Sequence, residues 1–465
     1  LPENDAETTA ILWLRRDLRL SDHPALCAAA GAGAVVPVFI RDALVDAMGA
    51  AAKWRLGLSL AAMDAELRRH GSRLILRSGP PALVLEVLAG QLGATQVHWS
   101  RLYDATSKER DIRVKQSLRD AGLNVVSHEG HVLNEPWTVE TGSGGFYKVY
   151  TPYWNNVKGR EVPQPLDVPE LRAPDAWPES EDLDSWQLGA DMRRGADIVA
   201  DHVAAGEVAA RDRLDHFVGQ GVADYSDLRN RPDRDGTSRL SAHFALGEIG
   251  IRTAWHATGA SETYRKELVW RDFAWHLIHH TPQIEDESWR PEWRGFPWRD
   301  DNPDAERWRR GMTGEPIVDA GMRELYVTGL MHNRVRMIVA SYLTKHLMTH
   351  WRVGLDWFAQ CLIDHDPASN AMGWQWAAGC GPDASPYFRV FNPETQAEKF
   401  DPDGAYRHRW LNPETSVDAA AYFKAIPKSW GMSPDDPYPN RMIPLRDGRQ
   451  RALDAYQEFK QGADN

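Results

Sequence analysis

The stretch "KELVWRDFAWHLIHH" sets a carboxylate, an indole and a guanidinium on one helical face, because Glu267 and Trp270 are spaced i,i+3 and Glu267 and Arg271 i,i+4. Such a face has two readings. It is an intrahelical ion pair beside a core tryptophan, or an aromatic plate with a polar edge, suited to a flat ligand such as a nucleobase. A second stretch, "MHNRVRMI", puts Asn333 and Met337 one turn apart, with Arg336 beside them. An asparagine amide offers donor and acceptor together, which matches a base edge, and methionine supplies an adaptable apolar contact. A helix-surface asparagine and a core methionine account for the same residues. "DGTSRLSAHFALG" places Thr237 and Ser238 at an expected helix start, where hydroxyls cap the helix or join free amides in holding a diphosphate. In "LIDHDPASN", Asp364 and Asp366 precede a proline at an expected break between helices. Carboxylates this close repel unless donors or a cation satisfy them. No His/Cys set at ligand spacing supports a metal, so an arginine or an N–H-bearing ring is the better match.

The chain holds 20 tryptophans, most of them after residue 250. Trp298, Trp351 and Trp374 fall in separate segments ("FPWRDD", "THWRVG", "MGWQWAA"), and an indole N–H wants a partner, which makes tryptophan costly as filler. Trp374 and Trp376 stand two positions apart. On a helix, at about 100° per residue, they point to nearly opposite faces, so one core cannot bury both.

The elements that must carry these residues divide the chain. Up to residue 131, strand-like runs (11–14, 34–40, 73–79, 95–100, 124–130) alternate with helical stretches that end at glycine. That alternation predicts a doubly wound parallel sheet. No G-x-G-x-x-G follows the first strand, so the dinucleotide fingerprint is missing. Residues 132–194 read as a linker, rich in Pro, Asp and Glu over 157–190 and expected to run over the surface. From 195 to 465 the periodicity is helical almost throughout, with "ADIVADHVAAGEVAARDRLDHFV", "SRLSAHFALGEIGIRTAWHATG" and "MHNRVRMIVASYLTKHLMTHW" each read as helical.

Bulk properties narrow the function classes. At 465 residues there is room for two large domains or about three average ones. No apolar run is long enough for a membrane span, and the start, "LPENDAETTAILWLRRDLRL", lacks a basic head with an apolar signal core. Cys27, Cys361 and Cys380 are too dispersed for a disulfide framework or zinc cluster. A reducing, cytoplasmic setting follows as the expectation. The net charge of −12 argues against indiscriminate nucleic-acid binding. It still permits a local basic face, since basic residues crowd into 229–239 and 331–352.

These motifs resemble the photolyase/cryptochrome flavoproteins, most closely the photolyases of cyclobutane pyrimidine dimers. The likeness runs from "LWLRRDLRLSDHPAL" (12–26) to "FRVFNPETQAEKFDPDG" (388–404), and is most specific in "TGEPIVDAGMRELYVTGLMHNRVRMIVASYLTK" and "MGWQWAAGCGPDASPYFRVFNP". It implies an N-terminal antenna domain and a helical domain enclosing a U-shaped FAD. Tyr225, Thr237, Ser238, Leu240 and Ser241 would follow the phosphates and ribityl chain, and Arg271 would also belong to the cofactor site. Arg336 would pair with Asp364 beside the isoalloxazine, Asp366 would meet its polar edge, and Asn370 would sit near N5. An asparagine at that position is photolyase-like, whereas plant cryptochromes typically carry aspartate. Trp270 and Trp376 would wall a cleft in which Glu267, Asn333 and Met337 contact a flipped-out dimer. Trp374, Trp351 and Trp298 would form an electron-transfer chain to the surface.

The implied activity is that of a carbon–carbon lyase: light-driven splitting of dimers in UV-damaged DNA by an electron from the excited reduced flavin. A signalling photoreceptor of cryptochrome type and a damaged-DNA binder with little catalysis are the alternatives. The resemblance also implies an antenna chromophore. "SRLYDATSKERDIRVKQSL" looks like the class III branch near plant cryptochromes, which suggests methenyltetrahydrofolate, although deazaflavin and FMN occur in relatives. A monomer is expected.

Overall fold

The computed structural model describes residues 8–259 and 261–463; the first seven residues, part of the stretch read above for a signal core, lie outside them. Five strands appear where alternation predicts them: β1 (Thr8–Leu14), β2 (Gly33–Arg41), β3 (Ile75–Ser78), β4 (Gln96–Ser100) and β5 (Asn124–His128). All neighbours are parallel, in the order β3-β2-β1-β4-β5. Parallel strands covered on both faces read as continuous apolar runs, and "ILWL" is such a run. Ala10, Leu12 and Leu14 enter one core with Val35 and Phe39, while Ile11 and Trp13 enter the other with Val36, Val38 and Ile40.

The segment expected to be linker behaves in two ways. Residues 158–182 form neither helix nor strand and run across the sheet domain, held by Asp22 N–H to Leu166 O (2.7 Å), Val35 N–H to Arg172 O (3.0 Å) and Glu181 N–H to Leu76 O (3.0 Å). The earlier part is built into the helical body. Asp272 accepts the backbone N–H groups of Leu133 and Asn134, and the helix Tyr150–Val157 buries Tyr150, Tyr153, Trp154 and Val157 against Phe273.

The helical body is built around the helix Glu262–His280, packed on Pro367–Ala378. Three stretches read as helical throughout are broken. "ADIVADHVAAGEVAARDRLDHFV" divides into Gly195–Ala200 and Glu207–Gln220. "SRLSAHFALGEIGIRTAWHATG" divides into Ser241–Leu246 and Ile251–Ala257. Its break falls at Gly247, where φ is +67° and an added Cβ would lie 2.1 Å from Arg16 O of the sheet domain. "MHNRVRMIVASYLTKHLMTHW" is an α-helix only over Asn333–Ser341, widens to a π turn at Tyr342–His346, and restarts at Trp351. Tertiary pairing wins over local periodicity there, because Arg299 N–H donates to Met348 O (2.7 Å) and His350 N–H to Arg299 O (2.8 Å). Among the described residues no helix is long and apolar enough to cross a membrane.

The sheet domain and the helical body share a buried ion pair. Arg55 donates to both Glu248 oxygens (2.9 and 2.6 Å), and neither side chain is exposed to solvent. His243 and Gly206 N–H complete the site. Burial alone would raise the Glu248 pKa, but the hydrogen bond from His243 and the charge of Arg55 outweigh it and bring the value down to about 2. A depressed carboxyl pKa contributes stability that is present above its ordinary value of 4.5 and lost as pH falls toward 2. Replacing Arg55 by Met leaves the Glu248 charge buried without its guanidinium partner, with only His243 and Gly206 N–H still bonded to it. The expected loss is about 3–5 kcal/mol in chemical denaturation, with the wild-type advantage shrinking on acidification below pH 4.5.

Candidate active site

Three adjoining cavities, about 540, 340 and 150 Å³, run through the helical body. Tyr225, Ser238, Ser241, Asn333, Arg336 and Asp364 line both larger ones, and Asn333, Arg336, Met337, Asp364 and Asp366 also line the small one. The largest opens between Trp270 and Trp376 and also takes in Glu267, Arg271 and Met337. Thr237 and Leu240 lie on the second, Asn370 and Trp374 on the third. All the expected cofactor and cleft residues thus line these three adjoining cavities. Trp298 and Trp351 stand outside them.

The break between the helices Trp351–Cys361 and Pro367–Ala378 is where expected, and each of its aspartates accepts from a donor. Asp364 Oδ2 accepts from Arg336 (2.7 Å), whose Nε is tied to Met331 O. Asp366 Oδ1 caps the following helix at Ser369 N–H, and its Oδ2 accepts the indole N–H of Trp275 (3.1 Å). Arg271 lies 3.9 Å from the same oxygen and donates to His131 O. Asn370 donates its amide to Leu355 O.

The intrahelical Glu267–Arg271 pair expected as one reading does not form. Glu267 pairs instead with Arg229 at 2.7 Å, across from another segment. Burial raises the Glu267 pKa, with Arg229 pulling the other way. Thr237 and Ser238 are not helix caps either, since the helix begins only at Ser241. Their carbonyls accept from Arg213 (2.6 and 2.8 Å), which pins this loop against the cavity.

Buried polar atoms of the lining residues without a partner among the described residues include Asp364 Oδ1, an acceptor, and His332 Nε2. His332 Nδ1 accepts Arg334 N–H, so Nε2 carries the proton of the neutral ring and is a donor. A long polar ligand with hydrogen-bonding groups of both kinds along its length fits these atoms, and FAD is such a ligand.

Trp374 and Trp376 divide as their spacing implies. Trp376 is half-buried on the cleft. Trp374 is buried against Phe358 (5.0 Å) and lies so close to Gly354 that an added Cβ there would fall 2.0 Å from its ring. Gly354 is one turn along from Trp351 on the same helix, and Trp351 is fully buried with its N–H on Ser288. Trp298 is partly exposed and donates its N–H to Thr344 O.

Sequence reading missed two supports. Arg229 belonged to a segment noted only for its charge. Tyr150 carried no signal, yet its ring stacks on Trp270 with centroids 3.6 Å apart and planes 8° apart, and its hydroxyl donates to Lys266 O. A separate cavity of about 220 Å³ lies where the sheet domain meets the helix Glu262–His280, lined by Trp99, Tyr103, Trp137, Arg101, Lys108 and Lys115 among others.

Comparison with known proteins agrees with this geometry. The family model described as the FAD binding domain of DNA photolyase matches residues 264–458, and the DNA photolyase model matches residues 10–171. A deoxyribodipyrimidine photo-lyase of Agrobacterium fabrum is 45% identical over 97% of this chain and 98% of its own. The crystal structure of a bacterial class III photolyase from Agrobacterium tumefaciens superposes with a TM-score of 0.92 at 42% identity, covering 99% of both chains. An archaeal photolyase from Sulfolobus tokodaii, solved with two FAD molecules, gives a TM-score of 0.81 at 28% identity over 97% of this chain and 99% of that one. With its parallel-sheet domain followed by a long helical FAD-binding domain, the chain belongs to the DNA photolyase family.

Proposed function

We propose that this protein splits cyclobutane pyrimidine dimers in DNA with light, using FAD in the cavity that ends between Trp270 and Trp376. The observation that carries the reading is that the cavity at the Thr237–Ser241 loop and the cavity at the two indoles share Tyr225, Ser238, Ser241, Asn333, Arg336 and Asp364 as wall, with Asp364 Oδ1 and His332 Nε2 unpartnered there. Reduced FAD supplies, when bound and illuminated, the electron that opens the dimer and recovers it afterwards.

The chain's own residues do the rest. Tyr225, Thr237, Ser238, Leu240 and Ser241 would hold the cofactor's phosphate end, and Arg271, Arg336, Asp364, Asp366 and Asn370 its ring end. The neutral Asn370 amide adds no charge beside the ring. Trp270 and Trp376 clamp the extruded dimer between aromatic faces, which replace the stacking it loses on leaving the helix. Tyr150 backs Trp270 and keeps that wall flat. Asn333 and Met337 read the lesion's edge and its apolar face. Glu267, its pKa raised by burial against the pull of Arg229, would in its protonated form donate a hydrogen bond to the lesion oxygen that gains charge. Basic residues such as Arg229 and Arg334 around the cleft meet phosphates, with affinity that falls as salt rises. Trp298, Trp351 and Trp374 pass electrons inward when the flavin is oxidised.

The antenna unit (1–131), connecting segment (132–194) and helical unit (195–465) form the working division. The interdomain cavity, with aromatic walls and three cations, suits an anionic conjugated chromophore, and methenyltetrahydrofolate is our assignment. Three free thiols, Cys27, Cys361 and Cys380, support a reducing cytoplasmic setting, and a monomer is the proposed working form.

Glu267→Ala is expected to cut repair about 10- to 100-fold, the loss for a hydrogen bond to a charged group of about 1.5–3 kcal/mol. Because burial raises the carboxyl's pKa, wild-type repair declines as pH rises through it, and Glu267→Gln, a donor at every pH, shows no such decline. Trp374→Phe is expected to stop light-driven reduction of the oxidised flavoprotein, followed by flavin absorbance, and to spare repair after chemical reduction; loss of both defeats the relay assignment. Chromophores extracted from the purified protein are expected to be FAD and a reduced folate, and recovery of deazaflavin or FMN instead overturns the antenna assignment.

A further inference from the structure

The electron relay proposed above leaves one ring unused. His350 sits with its centroid 5.4 Å from Trp351, planes 32° apart, and 5.2 Å from Trp298, planes 70° apart. Its seat is fixed from both sides. Its backbone N–H donates to Arg299 O (2.8 Å), and Arg299 N–H donates to Met348 O (2.7 Å), which joins the loop carrying Trp298 to the turn before Trp351. Its Nδ1 accepts Arg352 N–H (3.2 Å) and caps the helix Trp351–Cys361. The neutral ring therefore carries its proton on Nε2.

We propose that His350 is a charge gate on the tryptophan chain: neutral, it lets Trp351 give its electron to Trp374, and protonated, it opposes that step by repelling the positive charge left beside it. The physics is direct. When Trp374 has given an electron to the photoexcited oxidised flavin, one electron moves from Trp351 to Trp374 and one from Trp298 to Trp351. No bond forms or breaks, and a thiol reductant in solution restores Trp298. Each hop leaves a positive charge on an indole that touches His350. An imidazolium beside both rings raises the energy of either charged state, and in a partly buried site that repulsion is weakly screened.

The surroundings keep the gate open at neutral pH. Burial and then Arg352, on the same helix, hold the imidazole below its ordinary pKa, and Asp300 on the Trp298 loop pulls the other way. Arg299 on that loop is paired with Asp304 of the helix Pro303–Arg309 (2.7 Å). On the preceding π turn, Lys345 donates to Arg389 O and His346 stacks on Tyr342. Protonating Nδ1 also displaces Arg352 N–H from the cap. A helix cap alone accounts for the Nδ1 contact, but not for a ring in contact with both indoles.

This inference rests on the relay reading, and its test separates the two. The holoprotein with oxidised flavin and a thiol reductant is photoreduced between pH 4.5 and 8, with indole radicals followed by transient absorption. The rate is expected to fall about tenfold on the acid side, with a midpoint equal to the His350 imidazole pKa read by NMR. His350→Asn keeps a capping side chain and carries no titrating proton, so its profile is expected to be flat; His350→Gln serves if the first variant is unstable. The bound-flavin spectrum reports whether each variant is folded. An unchanged acid fall in the neutral variant, or a midpoint away from the NMR value, overturns the gate. Photoreduction surviving in Trp374→Phe overturns the relay itself.

Discussion

Two aspartates at one gap between helices organise the functional half of this protein. Asp366 ends the gap by capping Pro367–Ala378, and that cap sets the rotation of the helix carrying both Trp374 and Trp376. Asp364 pairs with Arg336 and so ties the gap to the helix that carries Asn333 and Met337. The indole N–H of Trp275 on Asp366 adds the helix that carries Glu267 and Trp270. Three helices are thus referenced to two carboxylates that line the adjoining cavities. Carboxylates this close in sequence avoid mutual repulsion because each faces its own donors.

The same helix presents its two tryptophans to different surroundings without a conflict of packing. Its Trp376 face borders the largest of the three cavities, whereas its Trp374 face is pressed onto Gly354, where no side chain intervenes. The glycine allows close approach to the helix that begins at Trp351. One helix thus faces the largest of the three cavities on one side and a tightly packed indole on the other.

The connecting segment matters more than its composition suggests. Tyr150 makes Trp270 part of a two-ring stack, and its backbone N–H is held by Asp383 from the segment following the Trp376 helix. The cleft wall is therefore tied to both sides of the cavity. The Arg55–Glu248 pair likewise fixes the sheet domain against the body that holds the site. Energy transfer from an antenna depends on a constant separation and orientation, and a buried, bidentate pair resists sliding better than an apolar contact.

What the sequence determined by itself is what short-range geometry controls. Alternation placed all five strands, a proline placed the gap at Asp364–Asp366, and the angle per residue separated Trp374 from Trp376. Resemblance of motifs then gathered Tyr225, Ser241, Arg336 and Asn370 into one site before any contact was known. Partner choice was decided only by the tertiary structure. Glu267 takes Arg229 rather than Arg271, a residue one helical turn away, because the packed body turns Arg271 toward His131 and Asp366. Helices expected to continue through Gly247 and Met348 stop where the chain meets the backbone of Arg16 or Arg299. Local periodicity fixes which face a residue occupies, but the group opposite that face comes from another part of the chain and is set by packing alone.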